Sequence, residues 1–124
     1  MNKIRVLLVD DSRVVRMILG KTLMELGFEV AESEDGQKAI DRLYRGESFD
    51  LMLVDWNMPN MNGYEMIRAV RANVLLSEVK IMMVTTETSL EHVRMALEAG
   101  ANEYLMKPFT EELLLKKLQL MGIS

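Results

Sequence analysis

Acidic residues directly follow two apolar stretches of this 124-residue chain. Asp10 and Asp11 come after the stretch at 4–9, and Asp55 comes after the stretch at 51–54. If these stretches are neighbouring parallel strands, their carboxyl ends share one edge of a sheet and the carboxylates meet there. Carboxylates brought together repel one another unless one is protonated or a cation binds. Oxygen ligands without histidine or cysteine favour Mg²⁺ or Mn²⁺.

Two further strand ends carry groups that bind phosphoryl oxygens. Thr85 follows the apolar stretch at 81–84, and Lys107 follows the one at 104–106. A lysine ammonium offers such oxygens a point charge, and a threonine hydroxyl offers them a hydrogen bond. Each residue alone is ordinary at a strand end, and an acidic pair alone equally fits a helix cap. Together, the strand ends indicate a site for a hard cation and a phosphoryl group.

Helical segments alternate with the apolar stretches. Apolar spacing and capping residues predict helices over 13–26, 37–44, 64–72, 88–99 and 110–121. A weaker apolar stretch at 28–31 is predicted to be the remaining strand, which brings the number of strands to five. Short apolar runs bounded by turn residues are typical of strands buried on both faces. Strict alternation therefore predicts a doubly wound α/β fold, with a five-stranded parallel sheet and helices on both of its faces.

Local signals add expectations about helix ends and the core. Thr88 and Glu91 fit a capping box that begins the fourth helix. Methionine fills irregular gaps in apolar cores, so we expect Met17 of the first helix and Met106 of the last strand to lie in the core.

Composition restricts the class of protein. The length fits one domain over residues 1–124, and 49% apolar residues suffice for a core. The net charge of −4 argues against nucleic acid as a partner. The absence of cysteine excludes disulfides and thiolate metal sites. No stretch approaches transmembrane length and the first is too short for a signal peptide, so we expect a cytoplasmic globular domain without a membrane partner.

In combination, four motifs make the chain resemble the receiver domain of two-component response regulators, and within that family the single-domain chemotaxis regulators. The motifs are LLVDDS at 7–12, LVDWNMPNMNG at 53–63, VTTE at 84–87 and KPF at 107–109. The resemblance covers essentially the whole chain. It implies the flavodoxin-like strand order 2-1-3-4-5. It also implies a monomer.

The resemblance assigns roles to the acidic residues. It implies that Asp55 is the phosphoacceptor, which takes a phosphoryl group from a phosphohistidine of a partner histidine kinase. Asp11 and Asp55, with the main-chain carbonyl of Asn57, would coordinate Mg²⁺, for which Mn²⁺ can substitute. Asp10 would hold a metal-bound water.

The resemblance also assigns a switch. Lys107 and Thr85 would contact the phosphoryl oxygens, and Tyr104 would turn inward when Thr85 moves toward the phosphate. The resulting population shift would change an output face that binds a downstream protein such as a flagellar motor switch protein. Because the protein would assist only its own phosphorylation and dephosphorylation, we expect a signalling switch and not an enzyme.

Three other functions share parts of this pattern. A single-domain phosphorelay intermediate would pass its phosphoryl group to a histidine phosphotransfer protein. A flavodoxin-like electron carrier needs a Ser/Thr/Gly-rich phosphate loop after the first strand, where this chain has carboxylates. An aspartyl-phosphate hydrolase of small phosphoesters needs residues for a substrate-selecting lid, and 124 residues leave none. We expect the chemotaxis switch, with the phosphorelay role and the electron carrier as alternatives.

Overall fold

A computed structural model describes residues 3–123, which fold as alternating strands and helices. The elements are β1 (Arg5–Val9), α1 (Arg13–Glu25), β2 (Glu29–Ser33), α2 (Gly36–Tyr44), β3 (Leu51–Val54), α3 (Gly63–Arg71), a 3₁₀ helix (Val74–Leu76), β4 (Lys80–Thr85), α4 (Leu90–Ala99), β5 (Glu103–Met106) and α5 (Glu111–Leu120). The strands form a parallel sheet in the order β2-β1-β3-β4-β5, which confirms the predicted fold. None of the helices in this described range is long and apolar enough to cross a bilayer.

The sheet is buried between two helical layers because its central strands are apolar on both faces. Successive side chains of a strand point to opposite faces. Leu7 and Val9 of β1 therefore pack with α2, α3 and α4, whereas Val6 and Leu8 pack with α1 and α5. Each fully buried large apolar side chain stabilises the fold by roughly 1.5–3 kcal/mol. This core holds the ends of the strands in fixed relative positions.

The order of the strands positions the acidic residues. The chain runs outward from β1 to β2 and then returns to pair β3 with the other side of β1. Val9 and Val54 are register partners, and the N–H of Asp55 donates to the carbonyl of Val9 at 2.9 Å. Loops that leave neighbouring strands in opposite directions open a crevice at the carboxyl edge. The residues after β1 and β3 flank this crevice.

Side-chain caps define where the helices begin. Ser12 caps α1 directly after the acidic pair, and Asn62 caps α3 within a capping box. The capping box expected at Thr88 is wrong by one residue, since Ser89 is the N-cap of α4 and its hydroxyl accepts from the N–H of His92. Threonine and serine both suit an N-cap, so neighbouring hydroxyl residues do not define the position by sequence alone.

Two methionines expected in the core lie at the surface. Met17 is 60% exposed and Met106 is 40% exposed, so both expectations were wrong. Helix α1 carries apolar residues on more than one side, and Leu19 and Leu23 occupy the side that faces the sheet. Apolar spacing predicts a helix, but it does not distinguish a buried stripe from an exposed one when both are apolar.

The close approach of α3 to the end of β3 can be tested at Gly63. A Cβ atom at Gly63 would lie 2.1 Å from the carbonyl oxygen of Asp55, which is a backbone atom. We predict that Gly63→Ala lowers the free energy of unfolding by about 2–3 kcal/mol, because the strand end or the helix must shift. Urea unfolding measures this change.

Gly20→Ala is the matched control for that substitution. Its Cβ would meet side-chain carbons of Leu8 and Val30 at an ordinary 3.8 Å. Alanine also favours a helix interior by about 1 kcal/mol over glycine. We therefore expect this variant to be at least as stable as the wild type. Equal stability of the two alanine variants would contradict the close approach at Gly63.

Candidate functional site

Three carboxylates converge at the carboxyl edge of the sheet. One oxygen each of Asp10, Asp11 and Asp55 lies within 4.8 Å of the others. Asp10 and Asp55 are buried, whereas Asp11 is exposed. At such separations the Coulomb repulsion between carboxylates is large unless positive charge lies nearby. The structure therefore brings together the acidic residues that the sequence predicted.

Lys107 reaches this acidic cluster from the loop after β5. Its Nζ donates to Oδ2 of Asp10 at 2.7 Å and lies 3.4 Å from Oδ2 of Asp55. The main chain at this position is anchored to β4, since the N–H of Lys107 donates to the carbonyl of Thr85 at 2.9 Å. The following Lys107–Pro108 peptide bond is cis. One ammonium thus offsets part of the charge of the three carboxylates.

Asp55 is the least satisfied member of the cluster. Its buried Oδ1 has no hydrogen-bond partner among the residues that the structure describes. Burial raises the pKa of the Asp55 carboxyl above its usual value, and the neighbouring Lys107 ammonium, Thr85 hydroxyl and Asn57 N–H offset only part of that rise. A buried oxygen without a partner carries a substantial desolvation cost. A cation or a covalently attached phosphoryl group would remove this cost.

The donor set fits a hard divalent cation. Carboxylates of Asp10, Asp11 and Asp55 are the candidate ligands, and Asn57 lines the same open groove as Asp11. Mg²⁺ typically takes one or two carboxylates and keeps several waters, which an open groove admits. The chain has no cysteine, and its one histidine, His92, lies on α4, so zinc or copper is disfavoured.

The loop after β4 connects the cluster to α4. Thr85 is fully buried, and its Oγ1 accepts from the N–H of Glu87 at 3.4 Å. Tyr104 is buried too, and its hydroxyl donates to the carbonyl of Glu87 at 2.5 Å. The side chain of Glu87 accepts from Nδ2 of Asn57 at 3.1 Å. The sequence singled out Thr85 and Tyr104 but not Glu87, whose role depends on contacts that only the folded chain makes.

The chemistry of Tyr104 suits a permanent hydrogen-bond donor. Burial raises the pKa of Tyr104 to about 12, and the negative charges of Glu87 and Asp55 act in the same direction. The phenol therefore keeps its proton at neutral pH and continues to donate to the carbonyl of Glu87.

Aromatic contacts join the site to α3 and α4. Trp56, directly after Asp55, stacks on Tyr64 with ring centroids 5.5 Å apart. The ring of His92 contacts Trp56 edge-on at 4.7 Å. Trp56 is the one tryptophan of the sequence, so tryptophan fluorescence reports on the surroundings of this position.

Comparison with known proteins identifies the family of the chain. The profile of the response regulator receiver domain matches residues 6–119. The chain belongs to this family. The chemotaxis protein CheY homolog of Campylobacter jejuni is 44% identical over 116 residues, which are 93% of this chain and 89% of that protein.

Solved structures of receiver domains have the same fold. Chemotaxis protein CheY4 of Vibrio cholerae superposes with a TM-score of 0.88 at 40% identity, and the alignment covers 95% of this chain and 98% of the CheY4 chain. The receiver domain of sensor histidine kinase PA1611 from Pseudomonas aeruginosa was solved with a magnesium ion coordinated in its active site cleft. It superposes with a TM-score of 0.84 at 30% identity, and the alignment covers 98% of this chain and 99% of that domain. The chain is a CheY-type receiver domain, a phosphorylation-activated domain of two-component signalling.

The raised pKa of Asp55 has a consequence for stability. A carboxyl whose pKa is higher in the folded state opposes folding when it is ionised. The contribution of Asp55 to stability is therefore fully present below its unfolded-state pKa of 3.8. It is lost as the pH rises through the higher pKa of the folded state. We predict that Asp55→Asn raises the free energy of unfolding by about 1 kcal/mol at about pH 8 without divalent cations.

Urea unfolding in the presence of a chelator measures this difference. The gain should shrink as the pH is lowered toward the unfolded pKa, because Asp55 then becomes protonated in the wild type as well. Asp41→Asn, at an exposed position of α2, removes the same charge and should leave stability nearly unchanged. A wild type as stable as Asp55→Asn at high pH would contradict the cost assigned to the buried carboxylate.

Proposed function

We propose that this receiver domain accepts a phosphoryl group on Asp55 from a phosphohistidine of a partner histidine kinase and thereby controls a chemotaxis target. The main support is the position of Asp55. It is a buried carboxylate with one oxygen that lacks a hydrogen-bond partner within residues 3–123, and it lies beside an ammonium at the open edge of the sheet. The chemotaxis relatives of Campylobacter jejuni and Vibrio cholerae support the assignment to chemotaxis.

Mg²⁺ is the proposed cofactor, and Mn²⁺ can substitute. Asp11, Asp55 and the main-chain carbonyl of Asn57 would hold the ion directly, and Asp10 would hold it through water. When bound, the ion supplies positive charge to the oxygens of the transferred phosphoryl group. The acidic cluster with only oxygen donors supports this proposal, as does the magnesium ion in the receiver domain of PA1611.

The residues of the chain perform the transfer by positioning and charge neutralisation. The Asp55 carboxylate attacks phosphorus, a P–O bond forms, and the P–N bond to the donor imidazole breaks with its electron pair leaving on nitrogen. Lys107, already beside Asp55, pairs with a phosphoryl oxygen, and the Thr85 hydroxyl donates to another. Attack of water on phosphorus later breaks the P–O bond to Asp55, which releases inorganic phosphate and restores the carboxylate. The protein is therefore a switch that acts only on itself.

The output is a change in the loop after β4 and in α4. In its contact with the N–H of Glu87, Oγ1 of Thr85 is the acceptor, so its O–H can donate to a phosphoryl oxygen. Movement of Thr85 toward that oxygen would lengthen the contact with Glu87. Movement of this loop alters the face that carries Leu90, which is 85% exposed, and Leu97, which is 46% exposed. A downstream protein such as a flagellar motor switch protein would bind this face in the phosphorylated state. The target is a protein and not nucleic acid, and the domain acts as a monomer.

Intact mass tests the phosphoacceptor. We predict that incubation with a small phosphodonor and Mg²⁺ adds one phosphoryl group to the wild type and none to Asp55→Asn. Asp41→Asn is the control and should gain the group like the wild type, because Asp41 is exposed on α2. Lys107→Met should slow the gain by roughly 100-fold, since it removes a charge aimed at the phosphoryl oxygens. A phosphoryl gain that persists in Asp55→Asn would refute the assignment.

Tyr104→Phe separates phosphorylation from output. The substitution removes only the hydroxyl that donates to Glu87, so the rate of phosphoryl gain should stay near that of the wild type. Loss of one hydrogen bond of about 1 kcal/mol should make the backbone amides of the loop after β4 exchange about fivefold faster. Hydrogen exchange with and without the phosphodonor measures this, and the response of α4 to phosphorylation should weaken.

Tyr44→Phe is the control for that experiment, because Tyr44 is 64% exposed at the end of α2. It should leave both exchange and phosphorylation unchanged. If Tyr104→Phe abolished the phosphoryl gain itself, Tyr104 would belong to the reacting site and the proposed division of roles would be wrong.

A further inference from the structure

Arg16 links the backbone of the acidic pair to the edge strand of the sheet. Its guanidinium donates from one terminal nitrogen to the main-chain carbonyl of Asp10 at 2.5 Å and from Nε to Oε1 of Glu32 at 2.8 Å. The Arg16 side chain is 13% exposed, and that of Glu32 is 47% exposed. Because two nitrogens of the planar guanidinium donate to different partners, both the position and the orientation of the guanidinium are fixed. The contact therefore connects α1, the loop after β1, and β2.

The carbonyl that Arg16 holds belongs to the peptide unit between Asp10 and Asp11. Because a peptide unit is planar, the direction of this carbonyl determines the direction in which the backbone enters Asp11. The N–H of Asp10 is held separately, by the carbonyl of Ser33 at 3.2 Å. Asp11 is exposed, so packing does not orient its carboxylate. Its direction depends on the backbone that carries it.

We propose that Arg16 and Glu32 form a brace that positions Asp11 to bind the divalent cation, although neither residue belongs to the acidic cluster. This inference rests on the proposed function in that Asp11 is a ligand of the cation. Glu32 is needed for two reasons. It orients the guanidinium, and its negative charge offsets a positive charge that would otherwise repel the ion. The brace thus orients the backbone that carries Asp11 and adds little net charge near the cation.

A structural role alone would have a different signature. Removing a hydrogen bond that only stabilises the fold lowers the free energy of unfolding and leaves cation affinity unchanged. Residues that orient metal ligands typically change affinity by about 10–100-fold when they are removed. Affinity for Mg²⁺ alone, measured by calorimetry without a phosphodonor, distinguishes the two roles.

The experiment compares substitutions of equal charge. We expect Arg16→Met to bind Mg²⁺ about tenfold more weakly than the wild type. Lys21→Met removes the same charge from an exposed position of α1 that lies ten residues beyond Asp11, and it should bind within about twofold of the wild type, because distant exposed charges are screened. Arg16→Lys keeps the charge without the forked geometry and should also bind several-fold more weakly.

A double-mutant cycle tests the pairing. Glu32→Ala should weaken Mg²⁺ binding in the wild type and cause no further loss in Arg16→Met, because the brace is already broken there. Urea unfolding, followed by the fluorescence of Trp56, establishes that each variant is folded before its affinity is compared. If Arg16→Met does not fold, Glu32→Ala carries the test, since its side chain is half exposed and its loss creates no cavity.

Several outcomes would overturn the inference. These are an Arg16→Met variant that binds Mg²⁺ as tightly as Lys21→Met, full affinity in Arg16→Lys, and full affinity in Glu32→Ala. A wild type that binds no Mg²⁺ would overturn both the proposed cofactor and the brace. Normal binding by the wild type together with unchanged variants would overturn the brace alone.

Discussion

Electrostatic repulsion among three carboxylates at one edge of the sheet is the constraint on which the rest of the structure depends. Two of them, Asp10 and Asp55, are also buried, so the fold carries a desolvation cost in addition to the repulsion. The apolar core between the helical layers supplies the stability that this arrangement requires. Lys107 reduces the net charge, but Oδ1 of Asp55 has no hydrogen-bond partner in the described part of the chain. The remaining excess of negative charge favours binding of a cation, and a cation in turn favours binding of a phosphoryl group.

Contacts around Glu87 connect the acidic cluster to the loop after β4. Its main chain contacts Thr85 and Tyr104, and its side chain contacts Asn57 beside the acidic cluster. In the proposed switch, the Thr85 hydroxyl donates to a phosphoryl oxygen and its Oγ1 moves away from the N–H of Glu87, while the phenol of Tyr104 remains protonated and able to donate. A loop held in this way is a two-state element that a single covalent change would bias.

Much of the fold was predictable because the apolar runs of this chain end directly at charged or polar residues. Apolar runs that stop at Asp10 and Asp55 predicted both the parallel sheet and the edge at which the carboxylates meet, whereas the strand order came from the family resemblance. Met17 was misplaced because α1 is apolar on two sides. The contacts of Glu87 and Arg16 were not predictable, since the fold alone brings their partners close. The hydrogen bond from Arg16 to Glu32, for example, joins positions 16 residues apart.

Each strand contributes to the site, including the edge strand that carries no ligand. β1 and β3 supply the carboxylates, β4 supplies Thr85, and the loop after β5 supplies Lys107. β2 contributes Glu32, whose carboxylate holds Arg16 against the carbonyl of Asp10. A charged side chain on an edge strand ordinarily serves to prevent pairing with other chains. In the brace that we propose, the charge of Glu32 also orients Asp11, and a surface residue of the edge strand would then affect the chemistry at the centre of the sheet.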